Sequence, residues 1–172
     1  MAVMTADTLR LRPWSESDLP ILIAANSPEM TGFLGGPESH AKLLSRHRRY
    51  LSMTDRRSGV MFRVENTTGM PVGSVGYWEK VWRDGTVYET GWAILPEFQG
   101  RGLATVAVTE MLAELRPVAV REWLHAFPAV EHVASNAVCR KAGFTLLGPV
   151  EFEYPPGSTL TSNDWRLRLS ET

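Results

Sequence analysis

Only one cysteine, Cys139, occurs among the 172 residues, so no internal disulfide can form, and a chain of this length needs none to bury a core. The four histidines, His40, His47, His125 and His132, follow no zinc-ligand spacing, so no metal site is expected. Neither sign of charge is in excess. With 18 Lys+Arg against 19 Asp+Glu and a net charge of -1, composition offers no footprint for nucleic acid or a membrane surface. Long apolar runs are also missing. Ile21 to Ala25 and Thr105 to Val108 fall far short of the ~20 residues that cross a bilayer, and the opening MAVMTADTLR lacks the basic start and apolar stretch of a signal peptide. A cytoplasmic protein is expected. No repeat, low-complexity tract or long linker interrupts the chain, so residues 1–172 read as a single domain.

What is present is periodic. Thr8 to Arg12 alternates like a strand, and Ser15 with Asp18 resembles a capping box, Asp18 in the usual Glu place, opening a helix through about Asn26. A second helix is expected from about Ser39 to Met53, its Lys42, Arg46, Arg48 and Arg49 forming a solvated basic face. Val60 to Val64, Val72 to Val81 and Thr86 to Leu95 read as three strands of an antiparallel meander, turning at Asn66-Thr67-Thr68-Gly69 and at Asp84-Gly85. After Pro96 the period becomes helical, with Leu103, Val106, Ala107, Met111 and Leu115 on one face, ending before Pro117. A strand over about Arg121 to Phe127, a short helix over about Ser135 to Lys141 stopping at Gly143, and strands near Phe144 to Tyr154 and Asp164 to Leu169 complete the chain. The fold class is therefore α/β in the α+β sense: a mixed, mainly antiparallel central sheet of about six to seven strands flanked by about four helices.

Chemistry concentrates in Leu95-Pro96-Glu97-Phe98-Gln99-Gly100-Arg101-Gly102-Leu103-Ala104-Thr105, where a strand runs through a glycine-rich turn into a helix. The N–H groups of a first helical turn have no internal partner and lie at the positive end of the dipole. Gly100 and Gly102 would let a pyrophosphate approach them without Cβ interference, with Arg101 adding charge; a merely tight turn is the plainer alternative. The loop is not a Walker motif, because no Gly-Lys-Ser/Thr follows, and it lacks the third glycine of the dinucleotide fingerprint.

These residues resemble the GNAT superfamily of acyl-CoA N-acyltransferases, whose pyrophosphate loop reads Gln/Arg-x-x-Gly-x-Gly/Ala; Gln99, Gly102 and Ala104 fill those positions. Glu89 to Phe98 looks like the preceding strand of the Rim-type branch, which acetylates ribosomal-protein N-termini. Ala134 to Val138 with Lys141-Ala142-Gly143-Phe144 looks like its second motif, and Leu9 to Pro13 with Asp18 is similar to its start. The resemblance implies transfer of an acetyl group from acetyl-CoA to an amine, with the pantetheine arm on the backbone of Trp92, Ala93, Ile94 and Leu95. The pyrophosphate would then lie on Gln99, Gly100, Arg101, Gly102, Leu103, Ala104 and Thr105.

By the same resemblance Glu89 is the candidate base, against an apolar wall of Trp92, Tyr88 and Tyr77 expected to raise its pKa. Many relatives carry a tyrosine as thiolate acid where this chain has Cys139, which reads instead as a small packed residue. Ser135 matches a serine placed near the sulfur in the Rim-type branch, although as the N-cap of the short helix it has a structural role too. His132 stands where that branch has an asparagine amide for the pantetheine, and Asn136 is the neighbouring amide that could substitute. The three-glycine stretch Thr31 to Pro37 is either a lid over the acceptor or a helix connector. The partner is an amine acceptor of unspecified kind, and the protein is a monomer or a homodimer. A larger acyl donor such as succinyl-CoA, a non-catalytic acyl-CoA-binding module and a nucleotide-phosphate binder are the competing readings.

Overall fold

The computed structural model describes residues 8–153 and 156–170. Residues 1–7, which include most of the opening read as lacking a leader, and Tyr154, the expected end of a strand, lie outside them.

A single seven-stranded sheet runs in the order β1-β2-β3-β4-β5-β7-β6, formed by β1 (Arg10–Pro13), β2 (Gly59–Glu65), β3 (Pro71–Trp82), β4 (Gly85–Ile94), β5 (Trp123–Ala126), β6 (Thr145–Glu153) and β7 (Thr159–Arg168). Every pairing is antiparallel except β4 with β5, where a helix crosses over between them. The helices are α1 (Leu19–Ala25), α2 (Pro28–Thr31), α3 (His40–Ser52), α4 (Leu103–Leu115) and α5 (Val133–Lys141). The expected sheet and chain order are present, with one helix more than about four. The addition, α2, is a single turn capped by Ser27, whose hydroxyl accepts from the Met30 N–H at 3.2 Å.

Alternation along the strands splits the apolar residues between two faces. On one face Val75, Tyr77, Tyr88, Leu124 and Trp165 meet Leu103, Ala107, Val108, Met111 and Leu115 of α4, with Val138 and Cys139 of α5, in the main core. On the other, Met61 meets Trp14, Ile21, Leu22 and Tyr50, so α1 and α3 cover β2 and β3. Among the described residues that second cluster does not extend across β4, β5 and β7, so there the face is uncovered by apolar helix packing.

Local chemistry follows the sequence closely at the chain's start, where the Ser15 N–H donates to the Asp18 carboxylate at 2.8 Å. That box opens a short 3-10 turn (Glu16–Asp18) that leads into α1. The β3–β4 hairpin differs in detail: Trp82 and Gly85 are Cα partners, so the two loop residues are Arg83 and Asp84, and Arg83 takes the positive φ of 53°. Sheet register, set by the long run of alternating side chains, decides this rather than the glycine. Among the described residues no helix is long and apolar enough to cross a membrane.

Candidate active site

The site is a split in the sheet. β4 pairs with β5 only at Tyr88↔Leu124 and Glu89↔His125; beyond them β4 continues to Ile94 with no partner on that side among the described strands. Backbone groups over Thr90 to Ile94 facing the split thus have no strand partner and, apart from the Ile94 carbonyl, which Gln99 caps, are available to a ligand, on the stretch that includes Trp92, Ala93 and Ile94.

At the far end of this open edge the chain turns into α4. Gln99 ties the turn down, its side-chain amide donating to the Ile94 carbonyl at 2.8 Å and approaching the Met30 sulfur at 3.1 Å. Gly100 and Gly102 both adopt positive φ, 78° and 74°, with nothing within 4 Å of where a Cβ would stand. The first intrahelical bond is from the Val106 N–H to the Gly102 carbonyl at 3.3 Å, so the N–H groups of Leu103, Ala104 and Thr105 have no helical acceptor. Arg101 is exposed beside them and lines a 140 Å³ cavity with Thr8, Asn66 and Thr67. Three open donors, a helix dipole and an adjacent guanidinium suit a polyphosphate.

At the other end, where β4 and β5 last pair, stands Glu89. It lies between neighbours different from those expected: Tyr88 and Trp92 alternate onto the opposite face, and Tyr77 sits in the main core donating to the Arg56 carbonyl at 2.7 Å. The wall is Trp78, its Cα partner on β3, whose indole N–H donates to Glu89 Oε2 at 3.1 Å. Lys80 Nζ lies 3.8 Å from the same oxygen. Burial dominates over these favourable contacts and holds the Glu89 pKa above the usual carboxylate range.

Two of the second-motif residues are occupied differently from expectation. The N-cap of α5 is His132, not Ser135: His132 Nδ1 accepts from the Ser135 N–H at 3.4 Å. The helix begins at Val133, two residues earlier than read, which puts Ser135 in the first turn with its hydroxyl free of any hydrogen bond among the described residues. Burial lowers the His132 pKa, which favours the neutral imidazole whose Nδ1 can accept. Asn136 is fully engaged within the protein. Its amide nitrogen donates to the carbonyls of Ala129 and His132, and its oxygen accepts from Asn163 and Trp165, each at 2.8–3.0 Å. In this arrangement it clamps the β5–α5 loop instead of offering a spare amide. Cys139 is wholly buried, and burial pushes its thiol up to about 12.

The Thr31 to Pro37 stretch reaches the site. Phe33 stacks on His132 with centroids 4.4 Å apart and planes at 22°, joining the α2–α3 connector to the β5–α5 loop. The base of that connector is pinned by Asn26, whose side chain exchanges two hydrogen bonds with the Glu38 backbone, each at 2.8 Å.

Sequence reasoning missed a buried pair on the same uncovered face: His125 Nδ1 and Asp164 Oδ1 lie 2.6 Å apart. Nothing in the local sequence around either residue joins positions 39 apart.

The fold is found in solved acetyltransferases. The spermidine N-acetyltransferase of Vibrio cholerae, in complex with CoA and spermine, is 19% identical at TM-score 0.74, covering 94% of this chain and 95% of that one. A Salmonella typhimurium acetyl transferase that modifies the N-terminal serine of ribosomal protein L7/L12 is also 19% identical, at TM-score 0.75 with 94% and 95% covered. A putative acetyltransferase from Salmonella typhimurium with acetyl-CoA, yncA, reaches TM-score 0.76 at 19% identity, covering 98% and 96%. No curated protein matches the sequence. The Acetyltransferase (GNAT) domain family matches residues 8–145, and this chain belongs to that family of acetyltransferases.

Proposed function

We propose that the protein transfers the acetyl group of acetyl-CoA to a primary amine by direct attack, within the Rim-type branch that its motif residues resemble. The observation that carries this reading is the split between β4 and β5: a carboxylate at its apex, Glu89, and a helix N-terminus suited to polyphosphate at its far end. The open edge of β4 accommodates the pantetheine amides along Trp92, Ala93 and Ile94, with Leu95 following, and Gln99 to Thr105 hold the pyrophosphate. Acetyl-CoA supplies the activated acyl carbon. The chain's own residues position it, exclude water and manage protons.

Glu89 takes up a proton that the acceptor amine gives up on its way to the amide. Its raised pKa favours this over a permanently ionised surface carboxylate, since proton affinity closer to neutrality makes a better base. Ser135, whose hydroxyl makes no hydrogen bond among the described residues, serves the departing sulfur in this reading, and buried Cys139 takes no part. The acceptor side is the uncovered face, where Trp78, Trp82 and Phe127 supply aromatic surface near Glu89. Polyamines and protein N-termini, the acceptors in similar structures, are the first classes to test.

Thermal unfolding with acetyl-CoA, coenzyme A, succinyl-CoA, ATP and NAD tests the donor. Saturation at 100 times Kd adds ~2.7 kcal/mol, a shift of about 5–10 °C at this size. A shift with the CoA species alone supports the reading; a shift with ATP or NAD alone, or none, sinks it. Turnover of acetyl-CoA with spermidine and with a serine-initiated peptide then separates an enzyme from a binding module.

A further inference from the structure

Glu89 is not alone at the apex of the split. Its Cα partner across the last parallel pair is His125, so both side chains leave the same face of adjacent strands, roughly 5 Å apart at the backbone. His125 is 5% exposed and Asp164 1%, yet the two are joined, Nδ1 to Oδ1, at 2.6 Å. The second Asp164 oxygen accepts from the Trp82 indole N–H at 3.2 Å, so the carboxylate is held from both sides. Phe127 stacks along the imidazole at 5.8 Å and 14°, which fixes the ring plane.

A carboxylate on Nδ1 fixes the tautomer: the proton sits on Nδ1, and Nε2 carries the lone pair. That Nε2 has no hydrogen-bond partner among the described residues, and no unpartnered side-chain nitrogen of theirs is sealed from solvent. Burying a histidine and an aspartate together costs desolvation that an apolar pair of like size would avoid. The other charges at the apex are Lys80 on β3, Glu89 on β4, Arg49 of α3, which acts on Glu89 across the sheet face, and Arg166 on β7, the last a Cα partner of His125 whose guanidinium stacks on Trp123 at 4.0 Å instead of pairing with Asp164.

We infer that His125, oriented by Asp164, is a second general base at this apex, taking the first proton from the acceptor's ammonium at Nε2. The inference rests on the acetyltransferase reading and adds to it a division of labour. An amine arriving as R–NH3⁺ must lose two protons to become an amide. The first passes to His125 Nε2 and on to solvent, which frees the lone pair. The second is released as the N–C bond forms and the C–S bond of the thioester breaks, and it ends on the coenzyme A sulfur, with Glu89 and Ser135 the groups placed to carry it. An imidazole suits the first step because, with its Nδ1–H held by Asp164, it presents the Nε2 lone pair at the apex beside Glu89.

The test begins with the intact protein and no acceptor. In 15N-histidine long-range correlation spectra, the His125 resonance, assigned through His125→Asn, is expected to show the Nδ1–H tautomer at pH 8 and to gain a proton at Nε2 on acidification. In Asp164→Asn, where the amide can donate to Nδ1, the proton is expected to move to Nε2. His125→Asn keeps a donor for Asp164 and lacks Nε2; its melting temperature and acetyl-CoA Kd are expected to stay near those of the wild type. Its kcat/KM with the amine that turns over best should fall at least 30-fold, and the near-neutral limb of the pH–rate profile should disappear. An Nε2–H tautomer or a fixed imidazolium across pH 6–9 in the wild type would overturn the proposal, as would wild-type kcat/KM and pH profile in His125→Asn. Failure of the wild type to bind acetyl-CoA, by contrast, would remove the underlying reading while leaving the tautomer result to stand by itself.

Discussion

The Trp78 indole lies across Gly91 and donates its N–H to Glu89: an ideal Cβ on Gly91 would meet Trp78 Cη2 at 3.0 Å, and the donor–acceptor distance is 3.1 Å. One aromatic ring thus covers the carboxylate and shields the floor of the split beside it. The carboxylate pays for this position in proton affinity, and Glu89→Gln makes both sides of that exchange measurable. Because its folded pKa is raised, the wild-type glutamate subtracts stability once pH rises through the ordinary carboxylate range toward the folded value, and subtracts nothing at lower pH. Glu89→Gln is therefore expected to melt higher than the wild type at pH 7.5 and to lose that advantage near pH 4. Its kcat should drop about 100-fold with acetyl-CoA affinity nearly unchanged, as loss of a proton acceptor requires. Lower stability at pH 7.5 together with wild-type kcat would reduce Glu89 to a structural partner of Trp78 and Lys80.

Gly102 offers the sharpest check on the anion loop. A side chain there meets open space, so the cost to the fold is the left-handed backbone alone, about 1–2 kcal/mol. Gly102→Glu should consequently fold, with a modestly lowered melting temperature, and should show no thermal shift with acetyl-CoA, its carboxylate lying against the open N–H groups of Leu103, Ala104 and Thr105. Gly102→Ala, which adds bulk without charge, is expected to weaken binding less. Retained acetyl-CoA affinity in Gly102→Glu would move the pyrophosphate elsewhere.

Strand order along the chain, the long α4 and the loop before it were legible because each rests on local periodicity and turn chemistry. The site was legible only where function is written into consecutive residues. Alternation puts Tyr77 and Trp78 on opposite faces, and the β3–β4 register, which pairs Trp78 with Glu89 and Tyr77 with Thr90, decides which of them meets the carboxylate; hence Trp78, not Tyr77, is its wall. The serine cap preference named Ser135 for α5, whereas the loop clamped by Asn136 starts the helix at Val133 and hands the cap to His132. The His125–Asp164 pair lay beyond reach, since it forms only when β7 inserts between β5 and β6.

The shift of the cap makes a prediction that separates structure from chemistry in the second motif. Ser135→Ala is expected to leave the melting temperature unchanged, because its N–H and not its hydroxyl takes part in capping; any loss of kcat then belongs to the reaction. His132→Ala should cost about 0.5 kcal/mol at pH 8, the low end for a cap, given a 3.4 Å bond. Since burial lowers the His132 pKa, the wild type has the full benefit above the ordinary histidine value of ~6.5 and loses it as pH falls toward the folded value. The gap between the two proteins should therefore narrow at pH 5. A destabilised Ser135→Ala would restore the hydroxyl as cap.

Phe33 decides whether the connector between α2 and α3 acts on the site. Met30, at one end of it, touches Gln99 at the far end of β4, and Phe33 touches His132 beyond the end of β5, so the connector spans the mouth of the split. Since Phe33 is 41% exposed, the stack contributes at the lower end of the 0.5–1.5 kcal/mol found for aromatic pairs, enough to hold the connector down yet let it lift. Phe33→Ala should raise the Kd for acetyl-CoA about 2- to 10-fold and speed amide exchange over residues 31–37, while kcat at saturation changes less than twofold. Phe33→Trp, which keeps a ring over His132, should restore both. If Phe33→Ala alters exchange but not affinity, the stack merely packs two loops together; if it lowers kcat as strongly as Glu89→Gln, the ring contacts the acceptor itself.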